Sequence, residues 1–183
     1  TAIVNPTTAS LSLGAVSIAL NNSAKTLQLD GTNTGNTITG IIANGLNTVS
    51  VTKANTGTWT LSGANTYSGT TTVSGGTLAL TGSAKSTTGT LTMNGGTVDL
   101  GADLGLGNAA LINGTGGTIN ATGGGKILLN IAAGDVGVAN GGTLSVNAVI
   151  ANGSQSSVDF WNTASGTGIV LLNATNTFTG APN

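Results

Sequence analysis

Two carboxylates four positions apart, in Asp99-Leu100-Gly101-Ala102-Asp103, are this chain's nearest approach to an acid/base pair. Glycoside hydrolysis asks for two carboxyl groups roughly 5 to 9.5 Å apart. No basic or aromatic sugar-binding residue accompanies these two, so Asp99 is expected to be an outward strand residue and Asp103 a turn residue. The acidic residues are all Asp, at 30, 99, 103, 135 and 159, and their dispersal gives no calcium cluster. His, Cys, Glu and Arg are absent. Their absence excludes imidazole and thiolate chemistry and the usual zinc ligand sets. No enzymatic activity, metal or cofactor is expected.

The remaining candidates are rings and hydroxyls. Trp59 alternates with Leu61 and is expected to face inward, while Tyr67 and Phe178 recur at equivalent places and read as corner residues. Phe160 and Trp161 are adjacent, so a regular strand points them to opposite faces. One of the two is therefore a candidate surface contact for a glycan or a host surface. Thr77, Thr97, Thr118 and Thr143 are expected to stack outward, and with Thr70, Thr71 and Thr72 or Thr88, Thr90 and Thr92 nearby they raise a second, disfavoured reading, a flat hydroxyl-and-methyl face like those of ice-binding solenoids. The plainer reading is that Thr suits exposed strand positions and hydrogen-bonds along a ladder.

Composition narrows the partners. Charged residues are 5% of the 183, against about 25% in an ordinary domain. Four Lys and a net charge of −1 make no basic stripe for nucleic acid. No run of about 20 apolar residues exists to span a bilayer as a helix. So few ionisable groups leave little stability to be linked to protonation. The opening Thr1-Ala2-Ile3-Val4 already reads as β sequence, with no leader ahead of it, and suggests a piece of something longer.

The elements that must position these residues are repeats. Gly57-Thr58-Trp59-Thr60-Leu61-Ser62-Gly63-Ala64-Asn65-Thr66-Tyr67-Ser68-Gly69 returns as Gly168-Ile169-Val170-Leu171-Leu172-Asn173-Ala174-Thr175-Asn176-Thr177-Phe178-Thr179-Gly180. Leu61 falls on Leu172, Asn65 on Asn176, Thr66 on Thr177, Tyr67 on Phe178 and Gly69 on Gly180. Ile42-Ala43-Asn44-Gly45 returns as Ile150-Ala151-Asn152-Gly153, three residues out of step, as an insertion would produce. The repeat units lie at approximately 38–80 and 146–183 within a single segment, 1–183. A shorter period runs inside them: Gly-Gly-Thr begins at Gly75, Gly95, Gly116 and Gly141, with Gly76 and Thr77 completing the first.

Steps of 20 to 25 residues suit one coil of a β-solenoid and are too short for a βαβ unit of about 30 residues. Runs such as Lys25-Thr26-Leu27-Gln28-Leu29 alternate with period two and are bounded by Gly or Asn, as half-buried strands are. Val16, Ile18 and Leu20 share one parity in the same way. A shared register stacks Leu78, Val98, Ile119 and Leu144 in one inward ladder, and Leu80, Leu100, Ala121 and Val146 in another. Coils about 4.8 Å apart then give roughly eight coils and a rod of roughly 40 Å.

Residues 57–80, through Gly69-Thr70-Thr71-Thr72-Val73-Ser74-Gly75-Gly76-Thr77-Leu78, resemble the autotransporter-associated β-strand repeat of bacterial passenger domains. The second copy departs from it at Val170 and Ala174. The resemblance implies an all-β, right-handed parallel β-helix of about 20–25 residues per coil, exported to the cell surface or extracellular space. It implies a stalk, fibre or adhesin scaffold without catalytic residues. Neighbouring repeats or further copies would stack end to end on its uncapped edges.

Overall fold

The computed structural model describes residues 1–17, 23–81, 89–106, 112–129, 134–138, 142–152, 158–162, 168–177 and 179. Every strand pair in it is parallel. The chain is a β-solenoid whose circuits visit three sides. The first side stacks Ala2–Val4, Lys25–Leu29, Val49–Lys53, Thr71–Val73, the start of Leu91–Leu100, the start of Ile112–Asn120, Gly134–Val138 and Val158–Asn162. The second stacks Ser12–Leu13, Asn36–Ile38, Thr58–Leu61, Thr77–Leu80, the ends of those two long strands, Thr143–Val146 and Ile169–Leu172. The third carries Val16–Ser17 on Ile42–Ala43, and Leu104–Leu106, Lys126–Leu129 and Val149–Asn152 in sequence.

Alternation decides which side chains meet. In Val49–Lys53 every second residue is buried, and partners in successive coils share that parity, so inward residues stack along the axis. One file runs Leu27, Val51, Thr71, Leu91, Ile112, and its neighbour Leu29, Lys53, Val73, Met93. Each fully buried aliphatic side chain contributes about 1.5–3 kcal/mol. Inward side chains form one continuous core along the rod, to which Trp59 and Tyr67 contribute the largest fully buried side chains.

Coil length is uneven. On the first side, the register Ala2, Leu27, Val51, Thr71, Leu91, Ile112, Val136, Phe160 gives steps of 25, 24, 20, 20, 21, 24 and 24 residues. Inward and outward parity on this side is nonetheless kept from coil to coil.

This unevenness corrects part of the expected ladder. Leu78, Val98 and Ile119 do stack, but Ile119 pairs with Val146 and Leu144 pairs with Gly117. The Gly-Gly-Thr at 141 is thus displaced by two residues. A slip of two preserves the inward face while a slip of one would reverse it, so the pattern alone could not detect it. Thr77, Thr97 and Thr118 share a row, which Ser145 continues in place of Thr143. Thr71 does not belong to an outward face: it is 3% exposed and shares a hydrogen bond between hydroxyls with Tyr67. Ile18, Leu20 and Thr88 lie outside the described residues.

Candidate functional site

The duplicated motif is positioned by strands Thr58–Leu61 and Thr77–Leu80 and by the corners around them. Trp59 is fully buried, and its indole Nε1 donates to the Asp30 carbonyl one coil earlier, 2.8 Å away. Leu61 lies beside it, fully buried. Gly57 and Gly69 donate to the Gly31 and Val49 carbonyls, at 3.0 and 2.9 Å, which ties their corners to the preceding coil. At Gly63 a Cβ would stand 2.2 Å from the Gly40 carbonyl oxygen, so only glycine lets the two coils close there. Gly76 has φ 57°, the left-handed region that glycine enters without strain. Gly75 precedes it at the same half-buried corner, and the Thr77 amide donates to the Gly57 carbonyl at 3.1 Å.

The two copies make the same polar contacts. Asn65 Oδ1 accepts from the Ile42 amide at 2.9 Å, and Asn176 Oδ1 from the Ile150 amide at 2.8 Å. The amides of Thr66 and Thr177 donate to the carbonyls of Ile42 and Ile150, each at 2.9 Å. Asn44 Oδ1 accepts from the Ser68 amide and Asn152 Oδ1 from the Thr179 amide, both at 3.1 Å. The side chain and the amide it accepts from are 23 residues apart in the first copy and 26 in the second, and both contacts are made despite the three extra residues between them.

The copies differ in what covers them. Thr77–Leu80 lies on the first copy, whereas among the described residues Ile169–Leu172 pairs with Thr143–Val146 alone. Leu172 is accordingly 37% exposed where Leu61 is fully buried. Phe178 and Gly180 lie outside the described residues. Phe160 pairs with Val136 and Trp161 with Gly137. Those pairings put Phe160 in the register row of Ile112 and Val51, and Trp161 in the row of Thr92 and Thr72.

Asp99 and Asp103 each accept from the following coil. Asp99 binds the amide and hydroxyl of Thr122, and Asp103 the Lys126 amide at 3.0 Å. Both carboxylates thus hold backbone in place, as Asn65 does. Farther along, Asn147 Nδ2 donates to Asn120 Oδ1 and Asn173 Nδ2 to Asn147 Oδ1, each at 2.7 Å, which makes an amide ladder along the rod.

Lys53 was missed by the sequence reading. It is fully buried, and its ammonium donates to the carbonyls of Ala54, Asn55 and Gly75 at 2.6, 2.9 and 3.2 Å. These three bonds use all its protons. Burial holds its pKa below the usual 10.5, and the nearby Asp30 charge opposes that shift in part. Asp30 accepts from Gln28, from the Gly31 amide and from Asn55. The strict alternation of Val49-Ser50-Val51-Thr52-Lys53 was the available signal, since it assigns Lys53 to the inward parity.

A three-sided parallel solenoid closed by these corner bonds is the frame of the repeat. Residues 51–80 match the family model of the passenger-associated-transport-repeat, so the chain carries an autotransporter passenger repeat, and the match includes Lys53. Over 69 residues, 37% of the chain, it is 42% identical to the "Adhesin BmaC autotransporter" of Brucella suis biovar 1 (strain 1330). That similarity covers 2% of the adhesin, so the chain spans a small fraction of the relative's length. No solved structure matches the chain.

Proposed function

We propose that this segment is a structural length of a bacterial cell-surface or secreted passenger, acting as the stalk or scaffold of an adhesin. The observation that carries the reading is the repeat at 51–80 within a solenoid whose described coils are held by side-chain and backbone bonds to the adjacent coils. Such a rod works by rigidity and reach, about 4.8 Å for each coil. It has no catalytic step, and its natural neighbours are further coils stacked on its ends.

The test is a length-against-identity exchange in a surface-displayed passenger containing the segment. Replacing it with an unrelated solenoid of equal length should preserve cell adhesion, and deleting two coils should weaken adhesion. Adhesion lost on the equal-length exchange would overturn the scaffold reading. It would favour the alternative, a glycan- or host-surface-binding module using projecting loops and residues Phe160 and Trp161. The register row that Trp161 shares with Thr92 and Thr72 supports that alternative, and a Trp161→Ala variant that loses glycan binding would identify it.

A further inference from the structure

An asparagine followed by glycine can cyclise without a catalyst, because glycine has no side chain to keep its backbone nitrogen away from the preceding carboxamide. The dipeptide begins at Asn44, Asn94, Asn113, Asn140 and Asn152. Asn140 and Gly153 lie outside the described residues. The fold treats the others differently.

Two of the side chains are tied at both ends. Asn44 Oδ1 accepts from the Val49 and Ser68 amides at 2.9 and 3.1 Å, and its Nδ2 donates to Ser68 Oγ at 2.6 Å. Asn152 Oδ1 accepts from the Thr179 amide at 3.1 Å, and its Nδ2 donates to Thr179 Oγ1 at 2.9 Å. At the third, the backbone is held instead. Asn113 and Gly114 keep register with Thr92 and Met93, and a Cβ on Gly114 would stand 2.1 Å from the Met93 carbonyl oxygen.

Asn94 and Gly95 have neither restraint. Both are exposed. Gly95 has φ 108°, and a Cβ there would meet nothing nearer than 3.9 Å. The pairings with the flanking coils pass from Met93 and Asn94 to Thr97, so Gly95 has no register partner among the described residues. Asn94 Oδ1 accepts from the Thr115 amide at 3.2 Å and from its hydroxyl at 3.5 Å. Its Nδ2 carries no hydrogen bond to a described residue.

We propose that Asn94 is a site of spontaneous deamidation, left reactive by the same fold that protects Asn44, Asn113 and Asn152. The Gly95 nitrogen gives its proton to hydroxide and attacks Asn94 Cγ; the new C–N bond forms, the Cγ–Nδ2 bond breaks, and ammonia leaves. Water then opens the five-membered imide at either carbonyl, yielding aspartate or isoaspartate. The corner is already suited to a carboxylate. Thr122 gives Asp99 the same pair of donors, amide and hydroxyl, that Thr115 gives Asn94. Isoaspartate adds one methylene to the backbone, at a place where the register already shifts. The product adds a negative charge to a chain whose net charge is −1, and the step needs only water.

Peptide mapping by mass spectrometry tests this on the full 183-residue chain, held in mildly alkaline buffer with and without urea. In the folded chain Asn94 should convert first. Asn44, Asn113 and Asn152 should lag by at least about tenfold, the factor for breaking one further hydrogen bond. In urea the four should converge. Asn94→Gln should fold as the parent does and lose the fast ammonia release. Asn94→Asp should leave the Thr115 amide as protected from hydrogen exchange as in the parent. Conversion of Asn94 no faster than that of Asn44 in the folded chain, or the same ranking and ratios in urea, would overturn the proposal. Loss of Thr115 protection in Asn94→Asp would overturn the claim that the corner accepts the product.

Discussion

Asn65→Ala and Asn176→Ala remove the same hydrogen bond from two copies of one motif, and burial separates their costs. Asn65 is 3% exposed, and the bond it loses serves the fully buried Ile42. Alanine leaves that amide without a partner and out of reach of water, a loss of about 1–3 kcal/mol. Asn176 is half-buried, and water can replace the side-chain oxygen there. The residual cost there is about 0.5–1 kcal/mol. Global melting is a poor assay, since coils of a solenoid open locally and cooperativity is between neighbours. Amide hydrogen exchange reads each site separately. At 1.4 kcal/mol per factor of ten, the Ile42 amide should exchange about 5 to 150 times faster in Asn65→Ala. The Ile150 amide should accelerate by no more than about fivefold in Asn176→Ala. Equal acceleration at both sites, or none at Ile42, would refute the claim that these side chains pin one coil to the next.

Lys53→Met leaves the carbonyls of Ala54, Asn55 and Gly75 without their donor and should destabilise the corner near neutral pH, measured as faster exchange at neighbouring amides. In the parent, the lowered Lys53 pKa means the folded state releases its proton before the unfolded state does. Parent stability relative to Lys53→Met should therefore rise with pH from the depressed folded value up to 10.5, and be flat below that window; a difference falling through the window would contradict the burial. Gly63→Ala sets a methyl 2.2 Å from backbone that cannot yield, whereas at Gly14 nothing lies within 4 Å. The first should cost about 1–3 kcal/mol or prevent folding and the second should be close to neutral in urea unfolding, with equal midpoints counting against the close approach of coils. Trp59→Phe keeps most of the bulk but strands the Asp30 carbonyl, and should destabilise by about 1–3 kcal/mol.

Much of the solenoid is written in local pattern. Alternation, Gly and Asn at corners, and a 20 to 25 residue recurrence specify parallel strands, because those signals act within a coil and repeat from coil to coil. They placed Trp59 inward on the parity of Leu61 and read Tyr67 as a corner residue. The low charge also suggested a rod indifferent to pH, which the structure amends at one point: Lys53 is an inward ammonium whose pKa burial lowers from 10.5.

Register between coils was decided only in three dimensions. The two-residue slip that sets Ile119 on Val146 keeps every inward residue inward, so periodicity is blind to it. Alternation assigns Lys53 to the inward parity, but the partners that satisfy the buried Thr71 hydroxyl and Lys53 ammonium, a tyrosine hydroxyl and three carbonyls, are visible only in the folded coils. Sequence by itself determined that this chain is a parallel solenoid, since burial parity is a property of each strand. Tertiary structure alone decided which residues face each other along the axis, because satisfying a buried amide, ammonium or hydroxyl requires the neighbouring coil to be in place.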